Sequence, residues 1–155
     1  MTRFRKDSLA SSILIIDRDP LMLTAMASVL DMQGHRAVLA RTEEVAMDSI
    51  LKGHFDVIVL SIDDLNAGCL FASKLRSSDD TRDVPIIFLV PEQTKLWTSM
   101  LAAHGGVFSM LKPIDPEGLV ELVDKALWMP HVARCRIGAP NLAYVNTDDW
   151  VTLND

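Results

Sequence analysis

No apolar run in this chain approaches the roughly 20 residues needed to cross a bilayer, and its net charge of -6 leaves no excess of basic side chains. The first absence gives no reason to expect a membrane-spanning helix. The second argues against direct nucleic-acid binding, which usually needs a basic patch. The N-terminal stretch carries Arg3, Arg5 and Lys6, but the apolar run after it, Ile13 to Ile16, is too short for the core of a signal peptide. Cysteine is scarce: Cys69 and Cys135 lie far apart and have no metal-ligand spacing around them. Neither a disulfide nor a zinc site is expected of them. His35, His54, His104 and His131 are scattered too and read as surface or loop residues. What remains is a chain of 155 residues, 49% hydrophobic and 23% charged. That suits one compact domain plus some extra, cytoplasmic and without a metal or other cofactor.

The apolar residues fall into short blocks separated by helical patterns. Ile13-Leu-Ile-Ile16 has four consecutive aliphatics, as a strand buried on both faces of a parallel sheet requires. Asp19-Pro20 after it is a helix start, cap then first turn. The helix that follows has Met22, Ala25, Met26, Val29 and Leu30 on one stripe and closes at Gly34. His35 to Ala40 reads as a second strand, and Thr42 opens a second helix that Gly53 ends. Phe55 to Leu60 is a third strand, and Ser61 to Ala67 a loop leading to a helix from about Gly68 to Ser77. Val84 to Val90 is a fourth strand, Glu92 to His104 a fourth helix, Val107 to Leu111 a fifth strand, and Asp115-Pro116 starts a fifth helix. Five strands alternating with five helices give βαβ units and a doubly wound α/β fold. The leading topology is a flavodoxin-like parallel sheet in the order 2-1-3-4-5. A functional site then belongs beyond the carboxyl ends of the strands, at Asp17-Arg18, Ser61 to Asp64, Val90-Pro91 and Lys112-Pro113.

From about Ser12 to Met129 the chain resembles the receiver domain of two-component response regulators. The markers are Ile13-Leu-Ile-Ile-Asp17-x-Asp19-Pro20, Phe55-Asp-Val-Ile-Val-Leu60, Thr81-Arg-Asp-Val-Pro85-Ile-Ile and Leu111-Lys112-Pro113-Ile-Asp115-Pro116-Glu117, in order and at family spacing. The resemblance implies an aspartate at the end of the third strand that accepts a phosphoryl group from a histidine kinase. It also implies two acidic residues after the first strand to help hold Mg²⁺, a Ser or Thr ending the fourth strand, an aromatic residue in the fifth, and a Lys before a proline in cis linkage.

Carried over position by position, most of that set is replaced. The acceptor position falls on Ser61, the second acidic position on Arg18, the switch hydroxyl on Val90 and the aromatic on Ser109. Only Asp17 and Lys112 remain, and the loop after Ser61 is one residue short of the family pattern. A serine hydroxyl is not a carboxylate nucleophile, and no base sits beside it in sequence. Mg²⁺ wants carboxylate and water oxygens in an octahedral shell, whereas Arg18 brings a fixed positive charge. Val90 has no group to bond a phosphoryl oxygen. The family chemistry is therefore not expected, nor any enzymatic activity. Arg18 stands either as a substitute for the metal, paired with Asp17, Asp63 or Asp64, or pointing to solvent. Lys112 likewise stands either bound to Asp17 or the Ser61 hydroxyl in the vacated pocket, or pointing to solvent.

The function expected of such a chain is a phosphorylation-independent signalling or adaptor module acting through protein contacts. The expected surface is the face of the fourth helix, fifth strand and fifth helix, used for a protein partner or a homodimer. Leu96, Trp97 and Met100 are its candidate residues, with Trp97 and Met100 on an outward face of the fourth helix. The alternative is a small-molecule sensor that uses the vacated pocket between Asp17, Ser61 and Lys112. Residues 1–11 read as an N-terminal arm, 12–129 as the receiver-like domain and 130–155 as a C-terminal extension. In that extension Ala143 to Val145 suggests a short strand, and Asp148-Asp149-Trp150 a turn carrying an anchor.

Overall fold

The computed structural model describes residues 10–104 and 108–135. Strands and helices alternate along it: β1 (Ser12–Ile16), α1 (Pro20–Met32), β2 (Arg36–Ala40), α2 (Glu43–Lys52), β3 (Val57–Ser61), α3 (Leu65–Ser77), β4 (Ile86–Val90), α4 (Lys95–Ala102), β5 (Phe108–Leu111) and α5 (Pro116–Cys135). The strands form one parallel sheet in the order β2-β1-β3-β4-β5, the topology expected from the sequence.

Pleating sends alternate side chains to opposite faces, and both faces are covered. Leu14, Ile16, Ile58, Leu60, Ile86, Phe88 and Val90 pack with α2, α3 and α4. Ile13, Ile15, Val57, Val59, Ile87 and Leu89 pack with α1 and α5. That two-sided burial is why the runs Ile13–Ile16, Val57–Leu60 and Ile86–Val90 are apolar at every position. Each fully buried aliphatic side chain contributes about 1.5–3 kcal/mol, so the strands carry a large share of the apolar stabilisation. Among the described residues no helix is long and apolar enough to cross a membrane.

Local capping sets where helices begin. Asp19, Thr42, Asp64 and Thr94 accept from the backbone N–H groups of Leu21, Val45, Ala67 and Trp97. Two of these caps move elements away from their expected starts. Asp64 starts α3 at Leu65 rather than near Gly68, and Thr94 starts α4 at Lys95 rather than Glu92. Gly68 consequently lies inside α3, where a Cβ would come within 2.7 Å of the Ile62 side chain. Helix phase shifts too. The buried stripe of α1 is Leu23, Met26 and Leu30, with Ala25 exposed. The last helix runs through Pro130 to Cys135, although a proline inside a helix forfeits one backbone hydrogen bond. Nothing described in the structure explains that continuation. The glycine pair Gly105-Gly106, Val107, residues 1–9 of the arm and the extension from residue 136, with its expected strand and turn, lie outside the described residues.

One buried group corrects the composition-level reading, and two more polar side chains are enclosed by packing. His35, taken for a surface residue, is 7% exposed at the start of β2, with its Nε2 3.7 Å from Asp124 Oδ1. Cys69 is buried in α3, and burial pushes its thiol pKa up, which disfavours the reactive thiolate. At the end of α3, Arg76 donates to the carbonyls of His104, Thr81, Arg82 and Val84, the last at 2.6 Å. Burial lowers the Arg76 pKa, and nearby Asp83 acts against that shift. The Thr81 hydroxyl donates to the Leu75 carbonyl in the same turn. Together they tie α3, the turn into β4 and the end of α4.

Candidate functional site

The carboxyl ends of β1, β2 and β3 open into a cleft of about 720 Å³. Its floor is apolar, with Ile16, Leu60, Ile62, Gly68 and Phe71, and Ser61 stands among them. The Ser61 Oγ is buried and has no hydrogen-bond partner. Asp17 and Arg18 continue β1 on one side, and Arg41, Thr42 and Glu43 continue β2. The backbone bond from Asp17 N to Ala40 O, at 3.1 Å, holds those two chain segments side by side. Asp63 and Asp64 close the third side.

Each carboxylate on the rim has a partner. Asp17 Oδ1 accepts from Asp19 N at 2.9 Å. Asp64 Oδ2 accepts from Ala67 N at 2.9 Å as the cap of α3. Glu43 Oε1 lies 3.9 Å from Lys74 Nζ. Asp63 Oδ1 accepts from Lys112 Nζ at 2.9 Å. Arg18 and Arg41, by contrast, are exposed and join none of the ion pairs among the described residues.

Lys112 follows β5 and reaches across to β3, where Nζ also donates to the Ile62 carbonyl at 3.3 Å. The Lys112-Pro113 bond is cis, as the resemblance implied. The expected partners of Lys112 were Asp17 or Ser61. It meets Asp63 instead, the residue just before the Asp64 cap of α3. Arg18 is exposed on the cleft rim and pairs with none of its expected carboxylates. Val90 is 1% exposed and belongs to the core. Ser109 is exposed on β5, and its hydroxyl accepts from Gln93 Nε2 at 3.3 Å. The structure thus gathers Asp17, Arg18, Ser61 and Asp63 at one cleft, with Lys112 attached through Asp63, and leaves Val90 and Ser109 apart from it.

The residues that sequence reading missed are Arg41, Thr42 and Glu43. Their signal was available: once β2 lies beside β1, the residues after Ala40 share the same strand-end rim. The donor set does not fit the Mg²⁺ that the resemblance implies. Asp17 is committed to a backbone N–H, Arg18 occupies the second position, and Lys112 neutralises Asp63. Among the described residues no group of three or more His, Cys, Asp or Glu side chains is placed to hold a metal ion.

The candidate interface on α4 needs correction. Trp97 was expected outside but is 8% exposed, packed with Leu101 into the core cluster, and Met100 is partly buried against it. The reason is the cap at Thr94, which fixes the helix phase so that Trp97 and Leu101, four apart, share the inward face. Thr98 and Ala102 are exposed. Leu96 remains outside, 62% exposed, and Leu111 at the end of β5 is 47% exposed. Both lie near the Gln93–Ser109 bond that ties the loop before α4 to β5.

The model of the response regulator receiver domain matches residues 13–124 of this chain. Among solved structures, the chain is similar to the chemotaxis protein CheY4 of Vibrio cholerae, with 22% identity and a TM-score of 0.71, over 76% of this chain and 99% of that one. It is similar to a two-component response regulator of Clostridium difficile, with 26% identity and a TM-score of 0.67, over 76% of this chain and 95% of that one. A response regulator of Thermotoga maritima has 18% identity and a TM-score of 0.69, over 76% and 98% of the two chains. No match was found among curated proteins.

Proposed function

Because the chain belongs to the response regulator receiver domain family, we propose that it signals without phosphorylation, as an adaptor whose output is a protein contact. One observation carries this reading above the others. Lys112, the cation that would meet a phosphoryl group, is already bound by Asp63 and the Ile62 carbonyl, while the acceptor position holds a buried serine hydroxyl. A resident carboxylate takes the anion's place on Lys112, so the arrangement needs no incoming charge. A phosphoryl switch works by adding charge that a waiting cation pairs with, and here that pairing is built in.

The contact surface in this reading is the face of α4, β5 and α5, with Leu96 and Leu111 as its apolar residues in place of the buried Trp97. Its occupant is a second copy of the chain or a protein partner in the cytoplasm. A net charge of -6 disfavours nucleic acid there. The test has two parts. Intact mass after incubation with acetyl phosphate and Mg²⁺ is expected to stay unchanged, and a gain of one phosphoryl group would sink the reading. Light scattering of the full chain is expected to give a dimer that Leu96→Asp or Leu111→Asp dissociates. A mass unaltered by both substitutions removes this face from the proposal.

A second reading, a small-molecule sensor, is favoured by the cleft itself, with about 720 Å³ of space above an unbonded hydroxyl. Buried hydroxyls usually have a partner, and a ligand oxygen would supply one. A broad thermal-shift screen tests it, since a ligand specific for the folded state raises the melting temperature.

A further inference from the structure

We infer that the groove between α2 and α3 is the docking site of the chain's own N-terminal arm, residues 1–9, held by the basic side chains of the arm and by Phe4. The inference depends neither on the phosphorylation reading nor on the face of α4, β5 and α5. On α2, Ala46 and Ile50 turn into the core. Glu44, Met47, Asp48 and Leu51, spaced as i, i+3, i+4 and i+7, form a second stripe on the helix, and all four line the groove. Lys74 of α3 and Glu43 complete it, around a space of about 420 Å³. The lining is apolar and acidic at once. Met47 is half-buried and Leu51 is 77% exposed. Three carboxylates stand there against one ammonium group. Glu44 joins none of the ion pairs among the described residues. Glu43 meets Lys74 at 3.9 Å and Asp48 meets Lys52 at 3.0 Å, both on exposed surface, where such pairs hold weakly.

The arm matches that lining in sign and in character. It carries Arg3, Arg5 and Lys6 against Asp7, with Phe4 among them. No other four consecutive residues of the chain hold three cations. Its point of attachment also fits. The described chain starts at Ala10, just before β1. Ser12 N donates to Asp56 Oδ2 at 2.9 Å, and Asp56 N donates to the Ser12 carbonyl at 2.8 Å. Asp56 comes four residues after Lys52, the last of α2, so the arm joins the domain beside the Leu51 end of the groove. Nine residues reach up to about 30 Å, whereas the ten residues of α2 cover about 15 Å. The tether is therefore long enough to follow the helix. Burying Phe4 against Met47 and Leu51 supplies an apolar contribution, and the arm's cations meet Glu44 and Asp48. Attachment through Ala10 makes the contact intramolecular, so weak individual pairs suffice.

Photo-crosslinking of the full chain tests the assignment. Phe4→benzoylphenylalanine is expected to link within one chain to Met47 or Leu51, with the site read by peptide mass mapping. Glu44→Gln with Asp48→Asn should lower that yield about threefold, as the loss of weak exposed pairs implies. Arg3→Gln with Arg5→Gln should lower it by a similar factor, and Leu51→Ser by at least as much. Asp80→Asn, in the turn after α3, should leave it unchanged. Unchanged melting temperatures show that the variants fold. Links that map to Met32 or Trp128, which are exposed on α1 and α5, overturn the inference, as does the absence of any link. An equal loss with Asp80→Asn is general charge attraction and overturns it too. Links found only in a covalent dimer give the groove to the arm of a second copy and overturn the intramolecular assignment.

Discussion

Arg76 and Ser61 are polar groups at opposite ends of the same α3–β3 layer, and they are treated in opposite ways. At the end of α3, the Arg76 guanidinium meets four backbone carbonyls. At the carboxyl end of β3, the Ser61 hydroxyl meets nothing. The first end is satisfied internally and holds elements together. The second carries an unmet hydrogen-bonding group and, above it, two arginines without carboxylate partners. A folded chain can leave groups unmet only where stability elsewhere tolerates it, and here the tolerant end is the strand-end rim. The contrast separates structure from function within a single domain.

The comparison yields graded expectations. The largest concerns α4, which Arg76 ties at its C-terminus. Trp97→Ala should cost about 3–5 kcal/mol, since it removes a large buried aromatic side chain, whereas Leu96→Ala should stay within about 0.5 kcal/mol. Urea unfolding of the two variants checks this, and equal effects would return Trp97 to the surface. Next, Arg76→Leu strands four carbonyls without their donor and should lower stability by about 3 kcal/mol. A loss below about 1 kcal/mol would mean that this end is no better held than the cleft.

Asp64→Ala removes the cap of α3 and should cost about 1 kcal/mol. It should also loosen the position of Asp63, which chemical shifts of the Lys112 ammonium group would report. The smallest expected change has the opposite sign. Ser61→Ala should stabilise the free protein by about 1 kcal/mol, because it deletes a buried hydroxyl that bonds to nothing. Thermal unfolding without ligand is the measurement. A destabilised Ser61→Ala variant would show that the hydroxyl is satisfied after all, and the contrast with Arg76 would collapse.

The fold was legible because burial on two faces leaves a blunt trace. Ile13 to Ile16 and Val57 to Leu60 are aliphatic at every position, which a parallel sheet between helix layers demands. Alternation with helical segments then restricted the topology, and order β2-β1-β3-β4-β5 was among the few left. The site was half legible. Asp17, Arg18, Ser61 and Asp63 were found from the strand-end rule. Arg41 escaped notice because no motif marks it; only the pairing of β1 with β2 brings it to Arg18. Helix phase was the weakest point. The buried face of α4 carries Trp97 and Leu101, four apart, and only its packing against the sheet selects that face.

Sequence alone determined the alternation of elements and the family resemblance, and it set Ser61 at the position where that resemblance expects an aspartate. Those features depend on residue type and near neighbours along the chain. The tertiary structure decided which groups meet. It gave Lys112 to Asp63, turned Trp97 into the core, collected four carbonyls on Arg76 and brought Arg18 and Arg41 to the rim of one cleft. Two of these pairings, Arg76 with His104 and Lys112 with Asp63, join residues 28 and 49 positions apart in the chain. Hydrogen bonds and ion pairs act over a few ångströms, so only the packing that sets those distances selects among the possible partners.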